Sequence, residues 1–295
     1  MVISREPKTE LLKLRAKTSI IPRAVFSTGE GQETGVPVVD AALFGAALPA
    51  GVAVLLSGEP GTGKTLLCHN LLGEALTRGL TGLYVALDDF PDNIRASLSA
   101  MGYDVKGFEA DSRLLFIDAY SCEIGLDSRE RYSCDRKDLS LLSIAITTAL
   151  TEHGCEGATS IILDSLTTLL HRYGVKTSLE FLRMLIAKTR KARANLWIKL
   201  NCTAFEPSVV SLAHEMVDGV INLRITETED GFSRLLSVMK MKGVLCPARW
   251  LPYELHPRKG LVPVKPTYRN PYVRKESTLS RSSRCDGLPV PEGYR

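Results

Sequence analysis

The chain has 295 residues, 44% of them apolar and 24% charged, with a mean hydropathy of +0.02, enough to bury one large core and leave extensions over. No apolar run approaches the roughly 18 residues of a bilayer span, and Arg5, Glu6, Lys8 and Glu10 interrupt the N-terminus where a secretory core would lie, so a soluble, cytoplasmic protein is expected. The net charge of +4 falls wholly on residues 265–295, which carry seven basic and three acidic side chains, and leaves residues 1–264 neutral.

In chain order, residues 1–29 form an N-terminal extension whose short amphipathic stretch (Leu11, Leu12 and Leu14 among Lys13, Arg15 and Lys17) is too small for a domain. Residues 34–51 read as a turn-rich lead-in. Residues 52–56 are the first core strand, and a helical pattern runs over 64–79. Residues 82–87 are apolar enough to be buried on both faces and end in Asp88-Asp89. A helix begins near Asp92, with Ile94, Leu98 and Met101 on one side and Gly102 as its stop. Residues 114–119 are a strand, and 121–137 a polar exposed loop. Asp138 opens a helix striped by Leu139, Leu142, Ile146 and Leu150 and stopped by Gly154. A strand over 160–164, a helix over 178–194 and a strand over 196–200 complete the alternation. The pattern predicts an α/β fold with right-handed crossovers and a mostly parallel sheet covered by helices on both faces.

Residues 220–225 and 235–239, joined across Glu229-Asp230-Gly231, predict a C-terminal antiparallel hairpin at the far edge of that sheet. From 265 onward the chain is rich in Pro, Ser, Arg and Tyr without an apolar period, which reads as a basic disordered tail, a nucleic-acid arm being the alternative. The seven cysteines show no Cys-x-x-Cys and no Cys/His cluster, so they read as small, mostly buried hydrophobes rather than a zinc site or disulfide framework.

Gly58-Glu59-Pro60-Gly61-Thr62-Gly63-Lys64-Thr65 lies between the first strand and its helix. Two glycines bracket four residues and Lys-Thr follows, the spacing of a phosphate-binding loop. Such glycines let successive N–H groups point inward at phosphate oxygens, and the helix N-terminus adds partial positive charge. Lys64 is placed to reach the terminal phosphates, and the Thr65 hydroxyl to ligate Mg²⁺. A glycine turn joining strand to helix explains the glycines but not the Lys-Thr pair.

Ligands of parallel α/β sheets bind at the carboxyl ends of the strands. Asp164 closes an apolar strand and could hold the Mg²⁺ shell through water, or cap the helix that follows. Asp88 and Asp89 end another strand. One of them could deprotonate an attacking water, or the pair could cap the helix near Asp92. Asn201 could sense a γ-phosphate or be a turn residue.

The series Thr34-Gly35-Val36-Pro37, Gly58 to Thr65, Tyr84-Val85-Ala86-Leu87-Asp88-Asp89, Phe116-Ile117-Asp118-Ala119-Tyr120, Ile162-Leu163-Asp164-Ser165-Leu166, Met216-Val217-Asp218-Gly219-Val220 and Met239-Lys240-Met241-Lys242-Gly243 resembles a single KaiC-type domain of the RecA superfamily, covering residues 30–264. The resemblance implies a RecA-like core, ATP as the nucleotide, and a homo-oligomeric ring, usually of six, with nucleotide at the subunit junctions. It also implies basic residues of the last hairpin reaching into the neighbour's site, here Lys240 and Lys242.

Two departures from the family pattern bear on activity. Asp88-Asp89 replaces a usual pair of glutamates and is shorter by one C–C bond, about 1.5 Å, where a misplacement of about 1 Å can cost a hundredfold in rate. Lys242 replaces a usual arginine, a point charge for a bidentate fork. Both point to slow ATP hydrolysis. The expected role is an ATP-dependent regulator or scaffold that docks a protein partner. A DNA repair accessory is the alternative, for which the charged tail and the cluster Lys188, Arg190, Lys191 and Arg193 speak unless the cluster is only a solvated helix face.

Overall fold

The computed structural model describes residues 32–264 except 135–137, 153–158, 229–230 and 247–248. The extension over 1–29, the tail over 265–295, the Gly154 stop, the Glu229-Asp230 turn residues, Cys155 and Cys285 lie outside the described residues.

Helix α1 (Pro37–Ala42) precedes β1 (Ala53–Gly58), α2 (Lys64–Thr77), β2 (Thr81–Ala86), α3 (Pro91–Ala100), α4 (Val105–Ala110), β3 (Leu114–Asp118) and β4 (Tyr132–Ser133). There follow α5 (Leu139–Glu152), β5 (Thr159–Asp164), α6 (Leu166–Lys191), β6 (Asn195–Asn201), α7 (Pro207–Met216), β7 (Gly219–Thr228), β8 (Gly231–Met241), β9 (Leu251–His256) and β10 (Gly260–Pro263). The strands form one sheet in the order β10-β9-β8-β7-β1-β6-β5-β2-β3-β4. From β7 to β4 every pair is parallel, and β7-β8, β8-β9 and β9-β10 are antiparallel.

All six residues of β1 and all six of β5 are buried, as strands sandwiched between helices must be. Successive side chains alternate between two cores. Val54 and Leu56 join Leu67, Leu71 and Leu72 of α2 and Ile94 and Leu98 of α3 on one face. Ala53 and Leu55 join Leu142 and Ile146 of α5 and Leu182 and Leu185 of α6 on the other. The predicted three-layer α/β fold is therefore the observed one.

Several elements differ from the sequence reading. The lead-in contains α1, entered through a turn in which Asp40 accepts from the Thr34 and Gly35 N–H groups at 2.8 and 3.0 Å. The loop over 121–137 holds a 3-10 turn (Ser121–Ile124) and the short β4, organised by Asp118, which accepts from the Tyr120 and Ser121 N–H groups. α6 begins at Leu166 rather than 178, because Gly174 (φ 73°, ψ 171°) interrupts an otherwise continuous helix and hides its first part. α4 and α7 were not anticipated; α7 buries only Ala213 and so shows little of an apolar stripe.

The β7-β8 hairpin is antiparallel but not at the sheet edge, since β9 and β10 pair beyond it. Pro252 inside β9 reads against a strand, which concealed it. Of the five described cysteines, none of them in a disulfide, Cys68 and Cys134 are buried and Cys122, Cys202 and Cys246 only partly so. No described helix is long and apolar enough to cross a membrane.

Candidate nucleotide site

The register of β1, β2, β5 and β6 brings Gly58, Asp88, Asp164 and Asn201 to one edge of the sheet: Gly58 lies beside Asn201 and Ala86 beside Asp164. Gly61 and Gly63 have φ of 82° and 84°, values that strain an L side chain. A Cβ on Gly63 would also lie 2.5 Å from Leu255. The loop thus curls against β9 and leads directly into the N-terminus of α2.

Lys64 is buried, and its Nζ donates to the Glu59 carbonyl at 2.7 Å, with Thr62 Oγ1 at 3.4 Å. Burial lowers its pKa. The Glu59 carboxylate faces away and accepts from the Ile225 N–H at 2.7 Å, so only its backbone serves the loop. Two contacts from the hairpin region hold the loop: Tyr253 Oη donates to the Thr62 carbonyl at 2.6 Å and Arg234 Nε to the Gly61 carbonyl at 3.1 Å. A cavity of about 500 Å³ opens beside it, bordered by Gly61, Lys64, Thr65, Asp88, Asn201 and Leu255, a volume in the range of small-molecule sites. A second cavity, about 220 Å³, is lined by Gln32, Thr34, Arg78 and Asn195 at the opposite strand ends and holds none of the phosphate-loop residues.

Asp164 is buried at the end of β5, where Tyr84 Oη donates to Oδ2 and the Lys199 ammonium contacts Oδ1. Burial lifts its carboxyl above the ordinary range, with Lys199 opposing. It does not cap α6: that is done by Ser165, whose Oγ accepts from the Thr168 N–H at 3.4 Å. Asp88 accepts from Thr168 Oγ1 on one oxygen and has Lys199 Nζ 3.2 Å from the other. Burial raises its carboxyl, but Lys199 and the hydrogen bonds of Thr168 and Ser165 outweigh burial and hold it below the usual range. Asp89 turns toward α3 instead, accepting from the Phe90 N–H at 2.8 Å and Asn93 Nδ2 at 2.6 Å. The structure thus separates the pair, with Asp88 in the cavity and Asp89 at a helix entrance. Asn201 Oδ1 accepts from the Thr203 N–H and hydroxyl at 3.2 and 2.9 Å, a turn role at the cavity rim.

Sequence reasoning missed Lys199. Besides Asp164 and Asp88, its ammonium lies 3.4 Å from Thr65 Oγ1. Burial favours the neutral amine, yet Asp164 and Asp88 outweigh it and keep the pKa above that of an ordinary lysine. The signal was present: a lysine inside an otherwise apolar strand of a covered parallel sheet calls for a buried partner.

The family model described as ATPase: KaiC matches residues 32–267. The chain belongs to the KaiC ATPase family. It is 31% identical over 241 residues to a UPF0273 protein of Thermotoga maritima, covering 78% of this chain and 94% of that protein. The UPF0273 protein PH0284 of Pyrococcus horikoshii is also 31% identical over 241 residues, covering 78% and 92%. Among solved structures, the KaiC-like protein PH0186 from Pyrococcus horikoshii OT3 superposes with a TM-score of 0.64 at 18% identity, over 80% of this chain and 99% of that one, a likeness of fold.

The KaiC-type lysines Lys240 and Lys242 are not brought to this chain's own phosphate loop. They lie where β8 meets the start of β7, at the other end of the strands from Gly58. Lys240 Nζ donates to the Val217 carbonyl at 2.7 Å, and Lys242 Nζ is 3.6 Å from Asp218 Oδ1. The basic cluster of α6 is partly tied into the fold. Lys188 Nζ donates to Ser143 Oγ and Thr147 Oγ1 at 2.7 and 2.8 Å, and Arg190 pairs with Asp218 at 2.9 Å. Two of the cluster's four basic residues are thus engaged within the fold, and the charged tail lies outside the described residues.

The Mg²⁺ that KaiC relationship and the Thr65/Asp164 spacing suggest does not fit the residues as arranged. The oxygens of Thr65, Asp164 and Asp88 converge on the Lys199 ammonium.

Proposed function

We propose that this KaiC-family chain is an ATP-binding regulator that assembles into a ring of like subunits and hydrolyses ATP slowly. The observation that carries the reading is the state of Asp88, the one carboxylate of the Asp88-Asp89 pair that borders the cavity. Both its oxygens are engaged, by the Thr168 hydroxyl and by Lys199. A general base has to accept a proton from a water within hydrogen-bond reach. A carboxylate already taken by two donors, on a side chain about 1.5 Å shorter than glutamate, does this poorly.

The loop amides and Lys64 supply a cradle for a triphosphate, and the remoteness of Lys240 and Lys242 from their own loop suits delivery to a neighbouring copy. ATP then serves chiefly as an assembly ligand, and the domain over 30–264 works in the cytoplasm as a scaffold for a protein partner, with six copies the expected ring. Light scattering with and without ATP tests this. A several-fold rise in mass on adding ATP, lost in the double variant Lys240→Ala/Lys242→Ala, is expected. A mass that ATP leaves unchanged would remove the ring.

A further inference from the structure

We infer that the Lys199 ammonium takes the place of a divalent cation in this site, so that the pocket binds a nucleoside triphosphate without needing a metal ion. The inference rests on the nucleotide reading above and specifies how that site is charged. Thr65 Oγ1 and Asp164 Oδ1 are the two oxygens between which the phosphate-loop pattern would hold an ion, and Lys199 Nζ contacts both, with Asp88 Oδ2 as a third acceptor at 3.2 Å. Of the three contacts, the one to Thr65 is a hydrogen bond and the two to the carboxylates are ion pairs.

The arrangement follows from the sheet. Trp197, Lys199 and Asn201 share one face of β6, and the pairing of Ile162 with Trp197 sets Asp164 level with Lys199 on that same face. The Lys199 side chain is only 13% exposed. Swinging it out would break its ion pairs with the buried Asp164 and with Asp88. A magnesium ion entering with Lys199 in place would meet a like charge at contact distance. With Lys64 on the loop side and Lys199 on the strand side, two fixed cations flank the space where phosphate oxygens would lie.

Calorimetric titration of the full chain with ATP, once in excess Mg²⁺ and once in EDTA, decides the point. The wild type is expected to bind with Kd values within about threefold of each other, because the cation is built in. Lys199→Thr, which removes the ammonium and keeps a hydroxyl, is expected to lose at least about tenfold in EDTA and to recover on adding Mg²⁺. A wild type whose affinity falls tenfold or more in EDTA would overturn the role of Lys199 and leave the nucleotide reading intact. Failure to bind ATP in either buffer would overturn both. Should Lys199→Thr not fold, the wild-type comparison still decides, and Mn²⁺ titration of the ATP-free wild type followed by electron paramagnetic resonance gives a second readout. No uptake at micromolar Mn²⁺ is expected there, and tight uptake would count against the inference.

Discussion

Tyr253 donates its hydroxyl hydrogen to the Thr62 carbonyl at 2.6 Å, tying β9 to the phosphate loop across 191 residues of chain. Thr62 is fully buried, so no water replaces a missing donor. Tyr253→Phe is expected to lower stability by about 1–2 kcal/mol and to weaken ATP binding several-fold. Urea unfolding and an ATP titration measure both, and an unchanged midpoint would show that the contact contributes nothing.

Lys64 should decide whether nucleotide is held. At ATP concentrations near 100 Kd the wild type gains about 2.7 kcal/mol of stability. Thermal unfolding of Lys64→Ala should show this gain abolished while the ATP-free midpoint shifts little, since the ammonium's contacts are to the loop itself.

Asp88 and Asp89 should separate in function as they do in space. Asp88→Asn is expected to cut the residual turnover about tenfold or more by removing the base. Asp89→Ala should leave turnover within about twofold and cost about 0.5–1 kcal/mol through the lost helix-entry contacts. Steady-state phosphate release and denaturant unfolding check the two arms; turnover insensitive to Asp88 would end its assignment as base.

His69 makes stability depend on pH. Burial pushes its imidazole down from 6.5 to about 4, with Lys199 adding to the effect and Asp89 opposing it. Its Nδ1 lies 2.8 Å from Ser97 Oγ. Between pH 6.5 and 4 the unfolded chain binds a proton that the folded protein refuses, so this contribution is complete above pH 6.5 and is lost as pH falls toward 4. The loss is on the order of 3 kcal/mol across the window. Unfolding midpoints at pH 7 and pH 5 should fall further in the wild type than in His69→Gln; equal falls would exclude His69 as the cause.

The strand-helix alternation, the phosphate loop and the carboxyl end of β5 at Asp164 were legible because each is written in neighbouring residues. Apolar runs of five or six flanked by glycine specify buried strands, and Gly-x-x-x-x-Gly-Lys-Thr specifies a loop whose amides bind anions. Glu59 shows the limit of that reading: the motif places its backbone correctly, but its carboxylate serves the Ile225 N–H, 166 residues away.

The amino-acid sequence by itself determined the fold class, the loop and the family, since periodicity, turn chemistry and motif spacing act over a few residues. Only the tertiary structure decided which aspartate faces the cavity, that β9 braces the loop, and that Lys199 meets Asp164, Asp88 and Thr65. Those outcomes depend on the register of parallel strands whose pairing partners lie far apart in the chain, and a one-residue shift of β6 would turn Lys199 to the opposite core.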